Sequence, residues 1–301
     1  MRQFLRDMWV VGRNELAESV RSRRALVVLI LYLAGSVLTC NIIVSVIHKA
    51  ENSISKALQL PPSTSAGVVT DALWEHRPFR HAMVEVIGDR RVAMELFEVP
   101  PMAMIFSALA FFFTPMLVML TSSTRISEEL STGSIRFVAV RTSRAAWCLG
   151  KYIGQALVLV VVLQLAAIGA WCVFRLRLAD LDSLAMAQAM AVYAWKVWLY
   201  SLAYIGLALG VSQMTKSPNK AMSVGFLIWF VMAIVQSIAS WQLKDDGSSL
   251  WMFADMLTPM GHSLDMWRLD TAHQLQGAFF LLALGFSYFF GGYLFFARKD
   301  I

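Results

Sequence analysis

The chain has 301 residues, 58% of them apolar and 15% charged, with a mean hydropathy of +0.60 and a formal net charge of +6. Soluble domains carry roughly 25% charged residues, so this apolar excess exceeds what one core can hold and bilayer is its natural solvent. The positive charges lie at the ends of apolar runs, where anionic headgroups meet them, so the charge points to membrane lipids and not to nucleic acid. Cys40, Cys148 and Cys172 sit in or beside apolar segments with no CxxC spacing, which predicts buried reduced thiols and no zinc site.

Residues 1–24 form an amphipathic helix by pattern. Leu5, Met8, Trp9, Gly12, Leu16 and Val20 recur every three to four residues, with Arg2, Arg6, Arg13, Glu15 and Glu18 between them. Such a helix lies on the cytoplasmic membrane surface. The first span, residues 25–47, follows directly. A cleaved signal peptide is the competing reading, but its apolar region would be shorter and its charged prefix briefer.

Residues 48–99 are a polar excursion on the outer side, broken by Pro61-Pro62. Pro78 opens its second helix, whose face is Phe79, Met83, Val86 and Ile87. It caps the mouth of a pathway or rests on headgroups. Pro100 and Pro101 start the second span, residues 102–123, with Pro115 as a kink. The third span is 152–174. Lys196 interrupts the fourth; at mid-membrane it would cost about 2.5–3.5 kcal/mol. Tyr193, Trp195, Trp198 and Tyr200 around it have interfacial composition, so this span is placed at 197–214, with 185–194 as an outer amphipathic lead-in. The fifth span is 221–241. Residues 242–274 hold one or two short outer re-entrant helices, and the sixth span is 275–297.

Fifteen of the 26 Lys and Arg residues fall on the side of the N-terminus, the second–third loop, the fourth–fifth turn and the C-terminus. The positive-inside rule makes that side cytoplasmic. The predicted fold is an all-α integral membrane protein with six transmembrane helices, N-in and C-in. Residues 1–24 are the interface helix and 25–301 the membrane domain.

Catalytic sets are missing: there is no HExxH, no GxSxG and no acidic pair within a span, so an intramembrane enzyme is disfavoured. The polar residues inside the spans are uncharged (Asn41, Gln155, Gln164, Gln236 and Ser287). Ion-driven carriers need an intramembrane ionisable group, so energy arrives from outside the bilayer. The chain has no phosphate loop: Gly150-Lys151 is followed by Tyr152, and Ala145 stands where the first glycine is required. An ATPase driving this protein is therefore another polypeptide. Met252, Met256 and Met260, with His262 and Met266 nearby, suggest a copper relay; packing at the membrane surface accounts for them more simply. Gly150-x-x-x-Gly154 and Gly206-x-x-x-Gly210 mark close helix contacts, within or between chains.

The informative stretch is residues 124–155, TRISEELSTGSIRFVAVRTSRAAWCLGKYIGQ. Ser131-Thr132-Gly133 bends between two short helical pieces. Ile135, Phe137 and Val138 form an apolar patch, and Thr142-Ser143 caps the next helix. Both charge signs beside an apolar patch suit docking to a protein groove, against the plainer reading of a solvated connector.

Together these stretches resemble the membrane subunit, or permease, of ABC-2 type ABC transporters. The resemblance rests on Asn14-Glu15-Leu16 and Arg21-Ser22-Arg23 before the first span. It continues through Glu128-Glu129, Gly133-Ser134-Ile135, Arg141-Thr142-Ser143-Arg144 and Gly150-Lys151, then Leu257-Thr258-Pro259 and the basic ending Phe296-Ala297-Arg298-Lys299-Asp300. Thr142 stands where proline is common.

The resemblance implies a half-transporter for an apolar or amphipathic substrate in a bacterial cytoplasmic membrane. It would pair with a second permease subunit, identical or paralogous, and with two copies of a cytosolic ABC ATPase that bind ATP and Mg; this chain itself holds no cofactor and no metal. The coupling segment is 124–151. Its docking residues would be Glu128, Glu129, Gly133, Arg141 and Arg144, assisted by Glu15, Gly150 and Lys151. The alternative is a non-transporting subunit that relays ATPase motion through the long excursion to an outer envelope partner.

Overall fold

A computed structural model describes residues 2–57, 74, 76–139, 142–178, 182–245 and 249–298. Among them are thirteen helices and no strand. In chain order they are α1 (Arg2–Arg21), α2 (Arg23–Ala57), α3 (Arg77–Ile87), α4 (Arg90–Leu96), α5 (Pro101–Ser122), α6 (Arg125–Thr132) and α7 (Ile135–Ala139). There follow α8 (Arg144–Arg177), α9 (Ser183–Met214), α10 (Pro218–Asp245), α11 (Ser249–Leu257), α12 (Ser263–Trp267) and α13 (Thr271–Ala297). Six stretches are long and apolar enough to cross a membrane: Leu26–Lys49, Pro101–Thr132, Arg144–Arg177, Ser183–Met214, Pro218–Leu243 and Thr271–Ala297. A span needs roughly 20 residues, so this is a multi-pass membrane protein.

Local chemistry sets the helix starts. Ser143 accepts from the Ala146 N–H to begin α8, Asp182 accepts from Leu184 and Ala185 to begin α9, and Asp270 accepts from Ala272 to begin α13. These side chains satisfy amide donors that a helix leaves open at its first turn. Pro101 opens α5, which runs as helix through Pro115. The excursion folds as expected around Pro78, near the start of α3. Gly88 then takes φ +75° to end α3, and Asp89 caps α4 by accepting from Arg91 and Val92. Pro61 and Pro62 lie outside the described residues.

Helix α9 is the central pillar. Its apolar stretch is 83% buried, against 11% for those of the peripheral α2 and α10. It packs along α13, α5 and α8. The contact with α13 is backbone to backbone: a Cβ on Gly210 would lie 2.5 Å from the Tyr288 carbonyl oxygen, and one on Gly285 2.8 Å from that of Leu202. A Cβ on Gly206 would overlap the Gly285 carbonyl. The Gly206/Gly210 motif therefore binds within the chain.

The bundle has two distinct ends. At one, α1, α6, the start of α8 and the ends of α9 and α13 meet: Ser212 of α9 bonds α6, and Arg144 of α8 donates to the Ala297 carbonyl at 3.1 Å. At the other, α4, the start of α9, α11, α12 and the start of α13 meet. There Gln236 of α10 donates to Asp255 of α11 at 2.5 Å and accepts from Thr258, which binds the short α11 to its neighbour.

Lys196 lies within one continuous helix, with no break at the expected boundary. Residues 183–214 form one unbroken helix in which Met186, Met190, Tyr193, Ala194 and Lys196 are all buried, so there is no separate lead-in before Val197. The ammonium donates to the Arg268 carbonyl at 2.9 Å and lies 4.4 Å from the centre of the Tyr193 ring. Arg268 is in turn paired with Glu95 of α4 at 3.1 Å. The insertion cost that displaced Lys196 in the sequence reading assumes hydrocarbon around it; here its surroundings are carbonyl, phenol ring and protein.

One smaller expectation is also corrected. Cys172 is exposed on α8, unlike the buried Cys40 and Cys148. The methionines do not share an environment: Met252 and Met256 are exposed, Met266 is fully buried, and α11 ends at Leu257, before Met260. The His262 ring is held by the Met256 carbonyl and stacks on Phe280.

Candidate functional site

The site lies at the α1 end, where residues from four helices form one buried hydrogen-bonded network. Close approach of α1 to α8 makes it possible. Gly12 of α1 faces the Gly150 carbonyl, with only 3.2 Å to spare for a Cβ, while a Cβ on Gly150 would lie 2.6 Å from that of Val11. At Gly154 it would lie 2.5 Å from Glu15 Cβ. The Gly150/Gly154 motif is thus the bed on which α1 rests, and it delivers the Glu15 carboxylate into the protein.

Glu15 is 2% exposed. Its Oε2 accepts from Lys151 Nζ at 2.7 Å and its Oε1 from Gln155 Nε2 at 2.9 Å, with Arg125 Nε 3.7 Å from Oε1. Lys151 is also paired with Glu129 on α6, so one ammonium bridges two carboxylates. Arg125 donates to the Thr121 carbonyl at 3.1 Å and to Ser19 Oγ at 3.3 Å. Gln155 Oε1 accepts from Ser122 Oγ at 3.1 Å. Two carboxylates and two cations make the cluster electrically neutral, as charges removed from water require. Burial acts to raise the Glu15 pKa, but Lys151 and Arg125 outweigh it and hold the carboxyl below its ordinary value. Glu18 brings a third carboxylate near those of Glu15 and Glu129. Lys151 already supplies the positive charge that a metal ion would bring there.

Helix α6 is also anchored to the central pillar. Its N-cap residue, Thr124, makes no side-chain cap bond. The amides of Ile126 and Ser127 donate instead to Ser212 Oγ of α9, at 3.1 and 3.0 Å. Displacing α6 therefore strains α1 and α8 through charge and α9 through the Ser212 hydroxyl.

Beyond this anchorage, α6 ends at Gly133, whose φ of +70° is costly for residues with a Cβ and reverses the chain into α7. Within the expected apolar patch, Ile135 is buried at 3% exposure while Phe137 stands out at 82%; the Val138 side chain is outside the described residues. The predicted coupling residues thus divide. Glu128, Glu129 and Arg144 are part-exposed at this end, and Gly133 forms the bend. Glu15, Gly150 and Lys151 are buried and face other helices, so their place is inside the network and not on a docking surface. Arg141 lies outside the described residues.

Sequence reasoning missed Arg125 as a buried member and Ser212 as a cap. A buried arginine beginning a short helix carries no local mark. The one available signal was the excess of polar residues, Thr121 to Arg125, at the end of an apolar run.

A family model described as "ABC-2 family transporter protein" matches residues 9–250. A search of curated proteins found no match. The matched region runs from α1 to the beginning of α11 and includes every residue of the network.

Proposed function

Given that this chain belongs to the ABC-2 family of transporter proteins, we propose that it is the permease half of an ATP-driven exporter whose ATPase is a separate cytosolic subunit. The α1 end faces the cytoplasm of a bacterial cell, as its surplus of Lys and Arg supports. Two permease subunits, identical or paralogous, pair with two ATPase copies, and ATP and Mg belong to those partners.

The observation that carries this reading is the neutral Glu15–Lys151–Glu129–Arg125 network. A connector between spans has no need of ion pairs to two neighbouring helices, α1 and α8, and amide hydrogen bonds to a third, α9. A lever does. Phe137, with Glu128 and the Gly133 bend beside it, provides the contact for the ATPase groove, and its exposure leaves the ring for a partner to cover. The stroke passes through Glu129 to Lys151 and α8, through Lys151 and Arg125 to α1, and through Ser212 to α9. Since α9 packs on α5, α8 and α13, the push reaches the middle of the bundle.

The substrate is apolar or amphipathic. A cleft of about 190 Å³ between α2 and α5 is lined by Leu31, Tyr32, Ser36, Thr39, Phe106 and Phe113, among others. It offers hydrocarbon contact with a few hydroxyl groups, suited to a lipid-like guest.

The test is a pull-down of cytosolic ABC ATPases from the host cell by the tagged chain, followed by transport in proteoliposomes. A Phe137→Asp/Glu128→Lys double variant should lose ATPase association and ATP-dependent export while eluting as a folded protein. Full association and export by that variant would refute the docking assignment. Activity of the permease with no nucleotide-hydrolysing subunit would refute the functional reading itself.

A further inference from the structure

Helix α1 has a second face that the network does not use. At 100° per residue, Leu5, Arg2, Trp9, Arg13 and Arg6 fall within an arc of about 100°, and all five are exposed. This arc contains arginine and apolar residues alone. The acidic residues Asp7, Glu15 and Glu18 lie on the other side of the helix, with Glu15 in the buried cluster. Leu5 is 49% and Trp9 56% exposed, while the Arg6 side chain is 75% exposed with only a 3.9 Å approach to Asp7.

The depth of α1 is set by its bed. Gly150 and Gly154 lie six and ten residues into α8, about 9 and 15 Å along its axis at 1.5 Å per residue. Helix α8 has 34 residues, a length of about 51 Å, against a hydrocarbon core of about 30 Å. With the apolar span read as residues 152–174, the first eight residues of α8 (about 12 Å) project beyond the hydrocarbon at the end that carries α1. Moreover, α1 passes into α2 across Ser22 alone, with Ser22 N–H donating to the Glu18 carbonyl and Leu26 N–H to Ser22. Both tethers hold α1 at the level of the phosphates.

We infer that the Arg2/Leu5/Arg6/Trp9/Arg13 face of α1 is a docking surface for anionic phospholipid headgroups. Leu5 and Trp9 enter the acyl boundary, and the three guanidiniums, all along one edge of that pair, take phosphates. One face of α1 is then bound to the lever and the opposite face to the lipid, so the lipid charge of the leaflet bears on the same helix as the coupling network. The inference rests on α1 sitting at a membrane surface and is independent of any ATPase.

The test uses the full chain in nanodiscs containing brominated phosphatidylglycerol or brominated phosphatidylcholine. Trp9 quenching is read as the difference between the wild type and Trp9→Phe. An arginine near an anionic surface is worth about fivefold in local lipid preference. The expected result is that the glycerol lipid quenches Trp9 at a several-fold lower mole fraction than the choline lipid, and that 0.5 M salt removes the difference. In Arg2→Gln/Arg6→Gln/Arg13→Gln the two lipids should quench alike, whereas Arg298→Gln, a control at the same end, should keep the preference. Equal quenching in the wild type would overturn the inference by reducing the face to plain apolar insertion. Absence of quenching by either lipid would overturn it by placing the face in water or against protein, including an ATPase.

Discussion

Replacing Lys151 with methionine tests the network at its centre. The ammonium is 3% exposed and serves Glu15 at 2.7 Å and Glu129 on its other side. Methionine fills similar volume without charge, leaving two carboxylates for one cation, Arg125, whose Nε is 3.7 Å from Glu15. Removing one partner of a buried pair costs about 3–5 kcal/mol, mostly through the stranded charge. For a chain of this size that corresponds to a fall in Tm of roughly 10 °C. Adding Glu15→Gln restores neutrality, with Glu129 against Arg125. The double variant should recover at least half of the loss, which makes the coupling energy at least about 2 kcal/mol. Thermal denaturation of the purified full chain in detergent, followed by size-exclusion chromatography, measures all four corners of the cycle. A single variant as stable as the wild type, or a double variant that equals the sum of the singles, would refute the view that these charges stabilise one another.

Other perturbations address the same architecture. Ser212→Ala leaves the Ile126 and Ser127 amides without their acceptor. It should cost about 1 kcal/mol and speed hydrogen exchange across α6 several-fold, with α13 unaffected. Gly206→Val forces α9 from α13 and should destabilise by about 1–3 kcal/mol, while Gly291→Ala, with nothing within 4 Å of the added carbon, should be silent in the same melts. The pH response follows from the lowered Glu15 pKa: below the ordinary glutamate value of 4.5 the unfolded chain binds the proton that the folded chain refuses. Stability is therefore fully present above that pH and is lost as the pH falls through the folded pKa. Glu15→Gln should flatten this part of the profile in melts between pH 6 and 3. Lys196→Met removes the donor to the Arg268 carbonyl and should raise hydrogen exchange in residues 263–270, the opposite end from Lys151.

What could be read from the sequence was whatever leaves a mark nearby along the chain. The six apolar runs, the Gly133 bend and the Ser143 cap each reside in a few consecutive residues, and all three appear where expected. The rest depends on partners far along the chain. Glu15 meets Lys151 across 136 positions, and Ser212 meets Ile126 across 86. Glu15 read as surface because charged residues on amphipathic helices usually are; only two glycines on another helix reveal that its face turns inward. The partners of Lys196 were hidden for the same reason. The aromatic residues around it resembled a membrane interface, but Tyr193 lies beneath its ammonium and Trp198 donates to the Ala156 carbonyl at 2.8 Å inside the bundle.

Lys196 also bears on how the protein is made. Its acceptor, the Arg268 carbonyl, is synthesised 72 residues later, so α9 emerges from the ribosome before the hydrogen bond that holds its ammonium can form. At the ordinary insertion penalty of about 2.5–3.5 kcal/mol, this helix settles poorly among lipids by itself. The bond that holds its ammonium waits until Arg268, between α12 and α13, has been translated, which makes this end of the central pillar one of the last parts of the bundle to be secured.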